Sequence, residues 1–150
     1  MIFNEWLYFV GLLVACSMFH ILPVRLRALS VMVAGVAFYT HYAGIFAYLL
    51  LAESLLVYGL VRGAHYRPLY AMVAIISSVS LLAWFKYRGM WGAGEHDSVS
   101  QIVIPLAISF FTFEFIHYAA DARRGTLPAH SFPEYMAFIF FFPSMVAGPI

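Results

Sequence analysis

The amino-acid sequence predicts an all-α fold, a polytopic transmembrane helical bundle of about five spans followed by a C-terminal re-entrant or broken helix. Of its 150 residues, 64% are hydrophobic and 10% are charged, which leaves too little polar surface to cover a soluble globule of this size. The charged residues stand in small groups between long apolar runs, as in membrane spans separated by loops. A net charge of +1 gives no basis for binding nucleic acid.

The first three spans follow from apolar runs and their lengths. Residues 6–22 carry no charge and end at Pro23, which predicts a short first span. The next charge-poor stretch, 28–61, would extend about 51 Å as one helix, against roughly 30 Å for the hydrocarbon core. We therefore predict a hairpin that turns near residues 41–44, with one helix on each side of the turn, over roughly 28–42 and 45–61.

The basic residues predict the orientation of the chain. With the hairpin, six arginines lie on one side of the membrane and two basic residues lie on the other. The first group is Arg25, Arg27, Arg62, Arg67, Arg123 and Arg124, and the second is Lys86 and Arg88. Because cytoplasmic loops carry the excess of Lys and Arg, the N-terminus is predicted to lie outside the cytoplasm.

Two further spans and a broken segment complete the predicted bundle. The fourth span is 68–85, where Ser77, Ser78 and Ser80 are expected to let a neighbouring helix approach. An outer loop, 86–100, precedes the fifth span, 102–120, which ends in a polar turn at 121–125.

The last segment, 132–150, contains three prolines and therefore differs from the spans before it. They leave only 136–142 as an uninterrupted apolar run, too short to cross a bilayer as a helix. This predicts a re-entrant or broken helix shielded from lipid, with Pro143, Gly148 and Pro149 in the re-entrant segment. The alternative is a helix that continues past residue 150.

A polar stripe runs along the fifth span. Glu114, His117 and Asp121 fall within about 60° of one helix face, and Arg124 extends the stripe if the helix continues. Glu114 would lie on the order of 10 Å inside the cytoplasmic end. Ionisable groups at that depth cost roughly 3 kcal/mol each, so they usually pair, face the bundle interior or line a wet cavity.

Four interpretations of the stripe are open at this level. Glu114 and His117 could form a hydrogen-bonded pair that fixes the helix orientation, or the stripe could be the wall of a substrate or acyl-donor cavity. Glu114 or His117 could act as acid or base in an acyltransferase or a proton-coupled carrier. A di-iron site needs a second Glu-x-x-His motif and two further glutamates, so no metal site is predicted.

Two blocks of sequence resemble the membrane-bound O-acyltransferase family. They are IPLAISFFTFEFIHYAADARRG, residues 104–125, and FFPSMVAGPI, residues 141–150. The resemblance is to the bacterial branch that O-acetylates alginate or attaches D-alanine to teichoic acid. The matching positions are Pro105, Ser109, Phe110, Thr112, Phe113, Ile116, Tyr118, Asp121, Arg124, Gly125, Phe142, Pro143, Ala147, Gly148 and Pro149.

The resemblance implies an enzyme of the bacterial inner membrane that moves an acyl group, usually acetyl, to a hydroxyl of an extracytoplasmic polysaccharide. The donor would be a cytoplasmic thioester, acetyl-CoA or an acyl carrier, used as substrate with no bound cofactor. The histidine credited with catalysis in the family lies downstream of the second block, so no catalytic residue is assigned within residues 1–150. Glu114, His117, Asp121 and Arg124 become candidates for lining the cavity.

The resemblance also implies that residues 1–150 form the N-terminal part of a larger acyltransferase domain. The expected partners are the lipid bilayer, other proteins that modify envelope polysaccharides, or a second chain that completes the domain. Two alternatives from other classes are a proton-coupled carrier or channel component that uses Glu114 and His117 as a relay, and a non-catalytic membrane scaffold.

Overall fold

The computed structural model describes residues 6–64, 67–91 and 108–141, and these residues form six α-helices and no strand. The helices are α1 (Trp6–Ile21), α2 (Val24–Ala43), α3 (Phe46–Ala64), α4 (Leu69–Trp91), α5 (Ile108–Arg124) and α6 (Phe132–Ile139). The predicted all-α class is confirmed.

Two helices in the described part of the chain are long and apolar enough to cross a membrane. They are α3, Phe46–Ala64, and the segment Leu69–Tyr87 of α4, each of 19 residues. At 1.5 Å per residue such a helix extends about 28 Å, close to the hydrocarbon thickness. These two are fewer than the five spans predicted, because α1 and α5 are shorter and α2 begins with two arginines. The two apolar helices are consistent with a membrane location.

The turn predicted near residues 41–44 is confirmed. Helix α2 ends at Ala43, and Gly44 has φ 57°, a left-handed conformation that glycine adopts without strain. The Gly44 N–H donates to the Thr40 carbonyl at 3.2 Å, and α3 begins two residues later at Phe46. The turn therefore lies where the length of the apolar stretch required it.

The helices α2 and α4 differ from their predicted boundaries. Helix α2 begins at Val24 and not at residue 28, because Pro23 is extended and suits the position before a helix. The long Arg27 side chain folds back and donates to the Leu22 carbonyl at 3.2 Å, so the first turn accommodates this charge. Helix α4 runs to Trp91, six residues past its predicted end, since a helix at a membrane surface need not stop at its first charge.

The chain divides into two compact units. The first contains residues 1–48 and 128–150, and in it α2 packs against both α1 and α6. Gly35 on α2 touches the end of α6, where a Cβ in its place would overlap the carbonyl oxygen of Phe140. One turn further, the buried ring of Tyr39 lies 5.8 Å from the Phe140 ring, centroid to centroid. Gly35 and Tyr39 together form the surface of α2 on which Phe140 rests.

The second unit, residues 49–127, contains α4 packed against α5. Small side chains of α4 are buried, namely Ala71, Ala74 and Ser78, and its large apolar side chains Met72, Val73, Ile76 and Val79 are exposed. On α3, Ser54 is buried and Leu55 and Leu56 are exposed. Small residues at helix contacts and large apolar ones outside are typical of membrane helices.

Helix α6 is a single short element of eight residues, Phe132–Ile139, about 12 Å long and unable to cross a bilayer. It begins earlier than the apolar run at 136–142 predicts, because Pro133 lies in its first turn, where no N–H partner is required. The helix ends as the Phe140 N–H donates to the Met136 carbonyl at 2.9 Å. Pro143, Gly148 and Pro149 of the predicted re-entrant segment lie outside the described residues.

Candidate functional site

The polar stripe lies on one continuous helix. Because α5 extends to Arg124, beyond the predicted end at residue 120, Glu114, His117, Asp121 and Arg124 occupy successive turns. Spacings of three and four residues bring neighbouring members of the stripe within reach of each other. All four predicted site residues are therefore brought together on α5.

Asp121 lies close to two other members of the stripe, His117 and Arg124. Its Oδ2 lies 3.5 Å from His117 Nε2 and its Oδ1 lies 4.0 Å from Arg124 Nη1. The side chains of His117 and Arg124 are 70% and 72% exposed, and that of Asp121 is 30% exposed. Exposed pairs of this kind contribute at most about 1 kcal/mol each to stability. Their main effect is to orient an imidazole and a guanidinium around one carboxylate.

Glu114 does not form the hydrogen-bonded pair with His117 that one interpretation predicts. The imidazole of His117 lies beside Asp121, and Glu114 Oε2 is buried without a hydrogen-bond partner among the described residues. A buried oxygen left in this way costs about 1 to 3 kcal/mol, so native structures keep few of them. A group held at this cost is a functional candidate.

The other side of α5 is a packing surface. Phe111, Phe115 and Tyr118 are buried, and the rings of Phe111 and Phe115 lie 6.2 Å apart, centroid to centroid. Thr112 is also buried, and its hydroxyl donates to the Ile108 carbonyl at 2.8 Å. Helix α5 thus has a packed apolar side and a polar side, and half-buried Glu114 lies at the boundary between them.

A second polar cluster, which was not among the residues predicted from the sequence, joins α3 to α4. Oε1 of Glu53 lies 3.0 Å from each of the hydroxyls of Ser77 and Ser78. Both hydroxyls also lie within reach of the Ala74 carbonyl, at 2.9 and 3.0 Å. Each hydroxyl has one proton and can donate to only one of these acceptors at a time. The serines therefore do more than allow close helix approach.

A sequence signal for this cluster exists. Glu53 is the one acidic residue in the 19-residue apolar helix α3, and adjacent serines occur in the next helix along the chain. A lone ionisable residue at membrane depth almost always has a polar partner. An ionisable residue on one apolar helix and adjacent serines on the next are therefore a sequence signal that the three side chains meet.

Metal ligation finds no support in the part of the chain that the structure describes. Those residues contain no group of three or more His, Cys, Asp or Glu side chains that could hold an ion. His117 and Asp121 lie 3.5 Å apart, and neither forms a hydrogen bond with Glu114 Oε2. The chemistry open to the stripe is hydrogen bonding, charge pairing and proton exchange.

Comparison with known proteins gives two groups of relatives. The chain is 27% identical to the probable alginate O-acetylase AlgI of Pseudomonas aeruginosa over 169 aligned positions, which cover all of this chain and 32% of that protein. Identity to the AlgI of Azotobacter vinelandii is also 27%, covering all of this chain and 34% of the relative. A peptidoglycan O-acetyltransferase of Helicobacter pylori is 28% identical over 57% of this chain and 22% of the relative.

These relatives confirm the resemblance to membrane-bound O-acyltransferases that residues 104–125 and 141–150 indicate, and the chain is similar to O-acetyltransferases along its whole length. It spans about a third of the length of the alginate O-acetylases it matches. No protein-family model matches the chain, and no solved structure gives a significant match.

Proposed function

We propose that this chain forms the N-terminal part of a membrane O-acyltransferase that moves an acetyl group from a cytoplasmic thioester to a hydroxyl of an extracytoplasmic polysaccharide. The observation that carries the proposal is similarity to enzymes named for two different acceptors, alginate and peptidoglycan. Both acceptors present sugar hydroxyls, so formation of an acetyl ester on a sugar is the chemistry the two names share.

The reaction needs a base and an anion-stabilising group. The acceptor oxygen attacks the thioester carbonyl, the hydroxyl proton passes to the base, and the carbon–sulfur bond breaks as the thiolate leaves and takes up a proton. A general base and donors to the oxyanion lower the barrier. In the proposal, a histidine outside residues 1–150 is the base.

The stripe on α5 then lines the donor route. Arg124 and His117 present cationic or hydrogen-bonding groups at the end of the helix, oriented by Asp121. Acyl donors of the coenzyme A and carrier-protein type carry phosphates, for which a guanidinium is a suitable partner. The stripe binds and orients the donor, and it supplies no proton to the reaction.

The proposal includes an arrangement in the membrane. Five spans, with the N-terminus outside the cytoplasm of a bacterial inner membrane, would place the end of α5 on the cytoplasmic side, where thioester donors are found. The lipid bilayer, other polysaccharide-modifying proteins or a second chain would complete the assembly. The excess of arginines near that side supports this orientation.

The test uses the full-length gene product in its own host. Deleting the gene should abolish ester-linked acetate on the isolated envelope polysaccharide, and the intact gene should restore it. Arg124→Ala should raise the KM for the thioester donor about tenfold with little change in kcat, the loss expected for one charge-assisted hydrogen bond.

The neighbouring arginine provides the matched control. Arg123 is exposed and lies outside the two ion pairs of Asp121, so Arg123→Ala should leave the KM for the donor and kcat unchanged. If Arg123→Ala and Arg124→Ala change the KM for the donor equally, Arg124 has no specific role in binding the donor. Unchanged acetate after gene deletion would overturn the proposed function.

One observation favours a second function, proton-coupled transport. The buried and unpartnered Oε2 of Glu114 is the kind of intramembrane group that proton relays use. In reconstituted vesicles, pH-driven uptake that is lost in Glu114→Gln would support a carrier. Under the acyltransferase proposal the same variant retains acetylation, because in that proposal the stripe supplies no proton to the reaction.

A further inference from the structure

A groove lies at the junction of α3 and α4, away from the stripe. It has a volume of about 430 Å³ and is lined by Gly59, Leu60, Gly63, Arg67 and Tyr70. These residues come from the last turns of α3, the short connection and the first turn of α4. Since α3 and α4 are the two helices apolar enough to cross a membrane, their junction lies at the membrane–water boundary.

Two glycines one turn apart create the space. At Gly59, a Cβ would meet no atom within 4 Å, so the helix surface there is open. At Gly63, a Cβ would lie 3.0 Å from Cδ2 of Tyr70, so the Tyr70 ring packs directly on the α3 backbone. The floor and one wall of the groove are therefore apolar.

Arg67 provides a positive charge at the groove. Its backbone is fixed, because its N–H donates to the Gly63 carbonyl at 3.3 Å and its carbonyl accepts from the Tyr70 N–H at 3.1 Å. Its side chain is exposed and forms no ion pair with any residue that the structure describes. A guanidinium offers five N–H donors suited to phosphate, and none of the described residues that line the groove is acidic.

We propose that this groove binds the headgroup of an anionic phospholipid, with Arg67 on the phosphate and the glycerol region against Leu60, Gly59 and Gly63. A lipid fits better than a soluble phosphate because the apolar wall continues onto exposed apolar side chains. Leu56 and Leu69 are 46% and 60% exposed beside the groove. Basic pockets between membrane helices commonly bind anionic headgroups. The proposal does not depend on acyl transfer.

The experiment is native mass spectrometry of the full-length gene product, released from detergent micelles that contain defined lipids. With phosphatidylglycerol the protein should retain one tightly bound lipid, and with phosphatidylcholine it should retain much less. Arg67→Ala should weaken phosphatidylglycerol binding about fivefold, the effect of one arginine near an anionic headgroup. Arg25→Ala is the control, since Arg25 is exposed at the start of α2 and outside the groove.

A second variant fills the groove without removing charge. Gly59→Leu places a side chain where space is open and improves helix propensity, so the protein should fold and lose the bound lipid. Lipid binding at wild-type strength in both Arg67→Ala and Gly59→Leu would overturn the proposal. Equal retention of the two lipids would also overturn it, as would displacement of phosphatidylglycerol by coenzyme A, which would assign the groove to a soluble phosphate.

Discussion

At the scale of single residues, the carboxyl groups of Glu53 and Glu114 have opposite surroundings. Oε1 of Glu53 accepts hydrogen bonds from the hydroxyls of Ser77 and Ser78, whereas Oε2 of Glu114 has no hydrogen-bond partner among the residues that the structure describes. The first arrangement holds two helices together, and the second leaves a group free to act on something else. The stripe that contains Glu114 was predictable because helical spacing alone defines it.

The partners within and between helices were not predictable in the same way. His117 can reach Glu114 on one turn or Asp121 on the next, and sequence spacing does not choose between them. The choice of Asp121 depends on side-chain rotamers and on burial of Glu114. The Glu53 cluster depends on which faces of α3 and α4 meet, and apolar residues on all sides of both helices conceal this.

The Glu53 cluster leads to an asymmetric prediction. The double substitution of Ser77→Ala and Ser78→Ala removes both donors from a carboxylate in apolar surroundings and should cost about 1 to 3 kcal/mol. Glu53→Leu should cost less, because both serines can donate to the Ala74 carbonyl instead. Thermal unfolding in detergent measures both effects.

The triple variant provides the check on that explanation. Adding Glu53→Leu to the two alanines should recover much of the lost stability, since the carboxylate without donors is then gone. Ser80→Ala, at an exposed position on the same helix, is the control and should be neutral. A triple variant less stable than the double one would contradict the role given to Glu53.

At the scale of elements, the sequence predicts the helices well because proline and glycine separate them. Pro23, Gly44 and Pro68 all lie between helices, as their restricted or permissive backbones require. Helix ends were less predictable: α4 continues through Lys86 to Trp91. Charge marks where the membrane ends, and the helix itself ends where its hydrogen bonding stops.

Two glycines in helix interiors should respond to alanine in opposite ways. Gly11→Ala should stabilise by about 0.5 to 1 kcal/mol, because nothing lies within 4 Å of the added carbon. Gly35→Ala should destabilise, because the new Cβ overlaps the Phe140 carbonyl and separates α6 from α2. Melting temperature and protease sensitivity near residue 140 report both changes. A Gly35→Ala protein as stable as wild type would show that α6 is not seated on that glycine.

The stability of the first turn of α6 should depend on pH. The Ser131 N–H and hydroxyl donate to Oε2 of Glu134 at 2.6 and 2.7 Å, and these bonds hold the pKa of Glu134 below its ordinary value of 4.5. A lowered carboxyl pKa adds stability that is present above the pKa of the unfolded chain and is lost as the pH falls through the native value.

Acid titration of thermal stability tests this dependence. Wild-type protein should lose stability as the pH falls below 4.5, the ordinary value, and Glu134→Gln should show less of this loss because it has no proton to gain. Parallel pH profiles for the two proteins would mean that the capping bonds do not form in solution.

At the scale of the whole molecule, composition is sufficient to predict a helical protein suited to lipid, and it does not predict the arrangement of the helices. Buried Ala71, Ala74 and Ser78 and exposed Ile76 reverse the pattern of soluble helices. Along residues 71–79 of α4, hydrophobicity therefore does not identify the packed face, whereas residue size does. The sequence does not predict the division into two units either, since no linker marks it.

Cysteine labelling tests the predicted orientation. Cys16 is the only cysteine among residues 1–150, so Cys16→Ser, with any cysteine outside these residues also replaced by serine, gives a background without thiols. Ile45→Cys, at the exposed hairpin turn, should react with a membrane-impermeant maleimide in intact spheroplasts. Thr126→Cys, exposed after α5, should react only after the membrane is opened. The reverse pattern would place the N-terminus in the cytoplasm and move the stripe to the outer side.

The first unit is discontinuous in sequence, since it joins residues 1–48 to residues 128–150 and the second unit lies between them. The ribosome therefore makes α2 before it makes the helix that rests on Gly35 and Tyr39. The second unit is contiguous in sequence and can form from local contacts alone, before residues 128–150 of the first unit are synthesised. We therefore expect the second unit to fold before α6 packs against Gly35 and Tyr39 of the first unit.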